Sequence, residues 1–157
     1  MKHNQTKIKV ALYFICTVLM GCGVSGQIGN TFNFPTSKKN MELAIDSLYA
    51  KYPEYKVPAK WQAFNNFSPG ASAYIEGKIF YFKSNPEEMY YVSLISGSGH
   101  HSGRVGLAIR AINKGSEDWL LEQAMGYDDE DRIQDRFKTE IISKLETFTG
   151  VKAKKRE

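Results

Sequence analysis

Three rhythms of hydrophobic and polar positions run along this chain, and each predicts an element. From Ser37 to Tyr52, the residues Met41, Ala44, Ile45, Leu48, Tyr49 and Tyr52 recur at helical spacing and share one face. Thr36 or Ser37 is placed to cap this helix, and Pro53 stops it. Ala73 to Lys83, Glu88 to Ser96 and Arg104 to Asn113 are rich in Tyr, Phe, Ile and Val and read as three strands. Ser84-Asn85-Pro86-Glu87 forms the first turn, and the short connections imply antiparallel neighbours. Ser116 is expected to cap a short helix carrying Trp119, Leu120, Ala124 and Met125 and ending at Gly126. Asp128 then opens a longer helix to about Phe148, with Ile133, Phe137, Ile141, Leu145 and Phe148 as its stripe and Gly150 as its stop.

The strands are apolar on both sides. Ile75, Ile79 and Tyr81 point one way and Tyr74, Phe80 and Phe82 the other, while Val105, Leu107, Ile109 and Ala111 share a face opposite Arg110. Helices are therefore expected over one face, with the second partly covered or binding something. Glu54 to Gly70, broken by Pro58 and Pro69, reads as a long connection pinned by Trp61, Phe64 and Phe67, with room for one short strand near Trp61. The predicted fold class is α+β: an N-terminal helix, a three- or four-stranded antiparallel sheet and two C-terminal helices, in one domain over 37–150.

The N-terminal segment follows a different pattern. Lys2, Lys7 and Lys9 precede a run from Val10 to Met20 that is apolar apart from Thr17, and no acid occurs there. This is a basic region followed by an apolar core of signal-peptide length. It is shorter than the roughly 20 residues needed to cross a bilayer. The run ends in Leu19-Met20-Gly21-Cys22. At these residues the chain resembles the lipobox of bacterial lipoproteins. The resemblance implies that residues 1–21 are removed, that Cys22 becomes the first residue, and that its thiol carries a diacylglyceryl group. It further implies a lipid anchor in the cell envelope, with the outer membrane favoured because Gly23, rather than Asp, follows the cysteine. Residues 22–36 form the lipidated Cys and its tether. Gly23 to Phe34 is rich in Gly, Ser, Asn, Thr and Gln and reads as flexible, and the stretch to Pro35 reaches at most about 40 Å. Residues 151–157 read as a charged, disordered tail.

Charge and cysteine content look different once the signal is set aside. The net formal charge of +4 falls to +1 without Lys2, Lys7 and Lys9, so no nucleic-acid footprint is read from it. Of the two cysteines, Cys16 leaves with the signal and Cys22 is acylated. The domain must then fold on its core alone, for which 42% apolar and 13% aromatic content suffice.

Candidate chemistry is sparse. His100 and His101 lie in the glycine-rich run Gly97-Ser98-Gly99-His100-His101-Ser102-Gly103-Arg104, which reads as a loop between strands. Glu76, Glu87 and Glu88 offer carboxylates, although a hydrolytic pair needs a separation that sequence does not fix. Asp128 to Asp131 suit a helix start rather than a calcium loop. Tyr74, Phe80, Tyr81, Phe82, Tyr90 and Tyr91 form an aromatic cluster suited to a protein or sugar surface. The binding residues singled out are Tyr74, Phe80, Phe82, Tyr90, His100, His101 and Arg104, with no catalytic residue, metal or cofactor assigned. The expected function is a non-enzymatic binding module with an envelope protein or cell-wall component as partner. The alternatives are a metal- or anion-dependent enzyme using the His100-His101 loop and an immunity-type protein.

Overall fold

A computed structural model describes residues 26–64, 77–97, 103–116 and 118–155. Strand β1 (Ile28–Phe34) comes first, followed by helix α1 (Lys38–Lys51). Two 3-10 turns, Pro53–Tyr55 and Ala59–Phe64, lead towards β2 (Gly77–Phe82), β3 (Glu88–Ser96) and β4 (Val105–Asn113). A 3-10 turn at Glu122–Ala124 precedes helix α2, which runs through Tyr127–Phe137, a π-helical stretch Lys138–Ile142, and Ser143–Thr149. A two-residue strand, β5 (Lys154–Lys155), closes the order. The class is α+β, with four antiparallel strands and a short fifth in the order β2-β3-β4-β1-β5.

Helix α1 and its cap follow the pattern. Met41, Ala44, Ile45 and Leu48 are buried, and the Ser37 hydroxyl accepts from the Asn40 N–H at 3.2 Å. The helix is not the first element, however. Residues 28–34, read as tether, form an interior strand between β4 and β5. Their polar composition hides an irregular strand: four residues from Ile28 to Phe32 stand against two of β4, and across that irregularity Ile28, Phe32 and Phe34 face the core. The tail is corrected too. Gly150 takes the left-handed conformation (φ +70°) that ends α2, and Glu146 then accepts from the Ala153 N–H (3.0 Å) and Lys152 Nζ (2.7 Å). This folds the chain back so that Lys154 pairs with Asn33 and Lys155 with Phe32.

Among the described residues the short helix expected after Ser116 does not form. Leu120 instead makes a bridge with Ile112, and only Glu122–Ala124 turns helically. One C-terminal helix of 23 residues therefore replaces two. Near Trp61 a 3-10 turn takes the place of the expected strand.

The principal core lies between the sheet and the two helices. Phe80, Phe82, Tyr90, Val92, Leu107 and Ile109 meet Ile45, Leu48, Ile133, Phe137, Ile141 and Leu145, all at most 1% exposed. Phe137 sits among Phe32, Phe80 and Tyr90 with ring centroids 5.8–6.5 Å apart. A smaller cluster covers part of the other sheet face: Trp61, Tyr81 and Met89, with Val57, Ile79 and Trp119 against them.

A bulge changes the parity of β4. Val92 pairs with Ile109 but Tyr91 with Ala111, so Arg110 is an extra residue. Ile112, rather than Ala111, joins Ile109 in the helix-facing core. The expected common face of Val105, Leu107, Ile109 and Ala111 therefore holds only as far as Ile109.

Candidate functional site

Glu88 begins β3 on the face turned towards α2 and is 0% exposed. A buried carboxylate must be neutralised by hydrogen-bond donors, since isolated burial of the charge is very costly. The sequence supplies these donors at two periodicities. Arg132 and Arg136 are four residues apart on one face of α2, and Tyr90 follows Glu88 by two on the same side of β3. Arg132 donates from Nη2 to Oε1 at 2.7 Å and from Nη1 to Oε2 at 2.9 Å. The Tyr90 hydroxyl donates to Oε2 at 2.9 Å, and Arg136 Nη1 does so at 3.2 Å.

The second arginine also ties the β2–β3 turn to the helix. Arg136 donates to the carbonyls of Pro86 (2.8 Å) and Ser84 (3.2 Å) and to Glu140 Oε1 (3.0 Å), and its guanidinium lies 4.6 Å over the Phe82 ring. Glu140 accepts from Tyr55 at 3.3 Å, while Asp129 joins Lys114 (3.0 Å) to Arg132 (3.2 Å).

These contacts set the protonation states. Burial, and then the neighbouring Glu88 charge, hold the Tyr90 phenol well above its ordinary range. Hydrogen bonds to Glu88 keep Arg132 firmly charged. Burial pushes the Tyr55 phenol up to about 12, with Glu140 adding to the shift. Tyr90, Arg132 and Arg136 all direct donors at Glu88, so its side chain is engaged as a strut joining the sheet to α2.

Its neighbour Glu87 serves the opposite sheet face. It accepts from Lys60 Nζ (2.6 Å), Trp61 Nε1 (3.2 Å) and the Tyr81 hydroxyl. Lys60 first, then Tyr81, hold Glu87 below the usual carboxylate range, and burial pushes Tyr81 up to about 12. Glu87 and Glu88 therefore point to different partners and do not combine as a catalytic pair. Glu76 lies outside the described residues.

The singled-out aromatic residues separate on inspection. Phe80, Phe82 and Tyr90 are 0–1% exposed and belong to the core, which corrects their reading as a binding surface. Their face is covered by α1 and α2, and two-sided aromatic strands reflect two hydrophobic layers. Arg104 is exposed, and its carbonyl accepts from the Gly97 N–H at 3.0 Å to close the β3–β4 hairpin. Tyr74, His100, His101 and Cys22 lie outside the described residues. Asp128, Asp129 and Glu130 stand in the first turn of α2, as their composition suggests, and Asp129 bridges two cations there.

Sequence reading missed the arginine pair and also Arg110. From the bulge in β4, Arg110 donates from Nε to Ser93 Oγ at 2.9 Å and from Nη1 to the Gly26 carbonyl at 3.5 Å. The i,i+4 spacing of Arg132 and Arg136 was the available signal, and it names no partner for them. Among the described residues no group of three or more His, Cys, Asp or Glu is placed to hold a metal ion, and no helix is long and apolar enough to cross a membrane. No protein-family model, curated protein or solved structure matches this chain.

Proposed function

We propose that this chain is a lipid-anchored protein of the bacterial cell envelope, held through Cys22, whose domain works by binding an envelope protein or cell-wall component. The observation that carries the reading is Leu19-Met20-Gly21-Cys22 at the end of a basic-then-apolar segment. Two or three acyl chains on Cys22 give a stable anchor, each buried methylene contributing about 0.8 kcal/mol. Gly23 after the cysteine favours the outer membrane. Binding rather than catalysis is supported by the separate engagement of the two carboxylates: Tyr90, Arg132 and Arg136 occupy both oxygens of the buried Glu88, and Lys60, Trp61 and Tyr81 converge on one oxygen of Glu87.

Intact-mass measurement on the membrane fraction tests the anchor. The expected species lacks residues 1–21 and carries added acyl mass, and Cys22→Ala moves the protein out of that fraction. A Cys22→Ala form that stays membrane-bound overturns the reading.

A further inference from the structure

The tether is much shorter than composition suggests, and this orients the domain. Gly26 is already fixed, its carbonyl accepting from Arg110, and β1 begins at Ile28. From Cys22 to Gly26 the chain spans at most about 14 Å. A lipid on Cys22 therefore holds the start of β1 close to the bilayer.

The strand register shows which surface shares that end. Ile28 pairs with Ile109, and β4 continues past it to Asn113. Leu120 bridges to Ile112 there, which puts Leu121 at the same end. Helix α2 runs in the direction of β1, since Gln134 meets Ile28 (2.6 Å) and Phe137 meets Phe32. Tyr127, seven residues before Gln134, lies about 10 Å further towards this end. The Asp129–Lys114 pair confirms that the first turn of α2 sits beside the end of β4.

Large exposed hydrophobic side chains divide between the two ends. Among the described residues they are Leu43, Ile95, Leu121 and Tyr127. Ile95 pairs with Gly106, beside Val105 and Phe34, where β1 leaves the sheet, and Leu43 lies in the first half of α1, which follows. Leu121 is 43% exposed and Tyr127 is 91% exposed, and both stand at the end from which the tether emerges.

We infer that this end rests on the lipid surface, with Tyr127 and Leu121 seated in the headgroup layer. The inference builds on the proposed Cys22 anchor. A tyrosine suits the interface because its ring is apolar and its hydroxyl stays wet. Asp128 and Asp131 are exposed beside Tyr127, so the matching surface is zwitterionic rather than anionic.

The test uses full-length protein whose acylation has been verified by mass, reconstituted in phosphatidylcholine vesicles carrying a headgroup nitroxide quencher. Tyr127→Cys, Leu121→Cys and Leu43→Cys each receive an environment-sensitive fluorophore, with Cys16 removed and Cys22 acylated in the mature chain. Probes at 127 and 121 are expected to shift to the blue and be quenched, while the probe at 43 keeps its aqueous emission. Adding phosphatidylglycerol should weaken the quenching at 127. Equal emission at 127 and 43 in acylated protein overturns the membrane-facing surface and leaves the anchor standing. Absence of acyl mass overturns the anchor reading itself.

Discussion

Arg132 grips Glu88 with both prongs of its guanidinium, at 2.7 and 2.9 Å, across 44 positions of sequence. The pair joins α2 to the first residue of β3. Arg132 is one-third exposed but Glu88 is fully buried, so the two partners are not equivalent to mutation.

Glu88→Gln removes the charge and leaves the Arg136 and Arg132 donors facing a neutral amide. The expected loss is about 3 kcal/mol, the range found when one member of a buried pair is removed. Arg132→Lys keeps the charge but loses the two-pronged geometry at a half-wet site, and should cost about 1 kcal/mol. Urea unfolding of a soluble form beginning at Gly23 measures both. Equal effects would contradict a network centred on the carboxylate.

A second prediction concerns Gly29. Its φ of +66° is a left-handed conformation, and a Cβ there would lie 2.4 Å from the Gln134 side chain. Gln134 is buried and donates to the Ile28 carbonyl at 2.6 Å, so it has little freedom to yield. Gly29→Ala should lose about 2 kcal/mol, of which about 1–2 kcal/mol is backbone strain. Adding Gln134→Ala removes the collision but not the strain, so the two changes should cost less together than their sum. Strict additivity in the same urea series would rule out the collision.

Both sites lie where sequence reading stopped. Strands β2 to β4, α1 and the stripe of α2 were legible because apolar spacing matched the period of each element. Strand β1 was not, because its polar residues imitate a linker and its pairing with Ile109 and Leu107 is set by distant residues. The Arg110 bulge was equally invisible, since an inserted residue leaves composition unchanged and alters only parity. Phe80, Phe82 and Tyr90 were recognised as a cluster, but sequence alone does not say which of two aromatic faces the helices cover. The Glu88 site needed Arg132 and Arg136 brought against β3, a juxtaposition that local pattern does not encode.

The π-helical stretch yields a third prediction. Ile133, Phe137, Ile141 and Leu145 are buried at intervals of four. On a regular α-helix that spacing would rotate the stripe by about 120° over twelve residues. Lys138–Ile142 takes up the excess with a wider turn, and the stripe stays on the core. Deleting the exposed Thr139 should therefore be tolerated, because the remaining intervals become four, three and four, as an α-helix requires. Deleting the equally exposed Asp135 leaves the stripe at intervals of three, four and four but brings Arg132 and Arg136 three residues apart, so it should cost more than the Thr139 deletion by loosening their joint hold on Glu88. Circular dichroism melts of the two deletions distinguish these outcomes.

Stability should fall at both ends of the pH scale, for opposite reasons. Glu87, held down chiefly by Lys60, and Asp129, held down chiefly by Lys114, have folded pKa values below their unfolded ones. Their contribution is present above the ordinary carboxylate range of about 4 and is lost as pH falls through it. The tyrosines act the other way. Tyr81 and Tyr55, both raised first by burial, ionise at about 12 in the folded chain. Unfolded tyrosine ionises near about 10. Their contribution is complete below about 10 and falls as pH rises towards 12, because the unfolded chain releases protons that the folded chain retains. Tyrosinate absorbance followed against pH, in buffer and in concentrated urea, should show native phenols titrating later than unfolded ones, and urea midpoints should decline over the same alkaline interval. Tyr81→Phe should flatten that decline while freeing Glu87 from one of its donors, which also weakens the acid arm. Native phenols that titrate with the unfolded curve would show that Tyr55 and Tyr81 are not held as their buried contacts require.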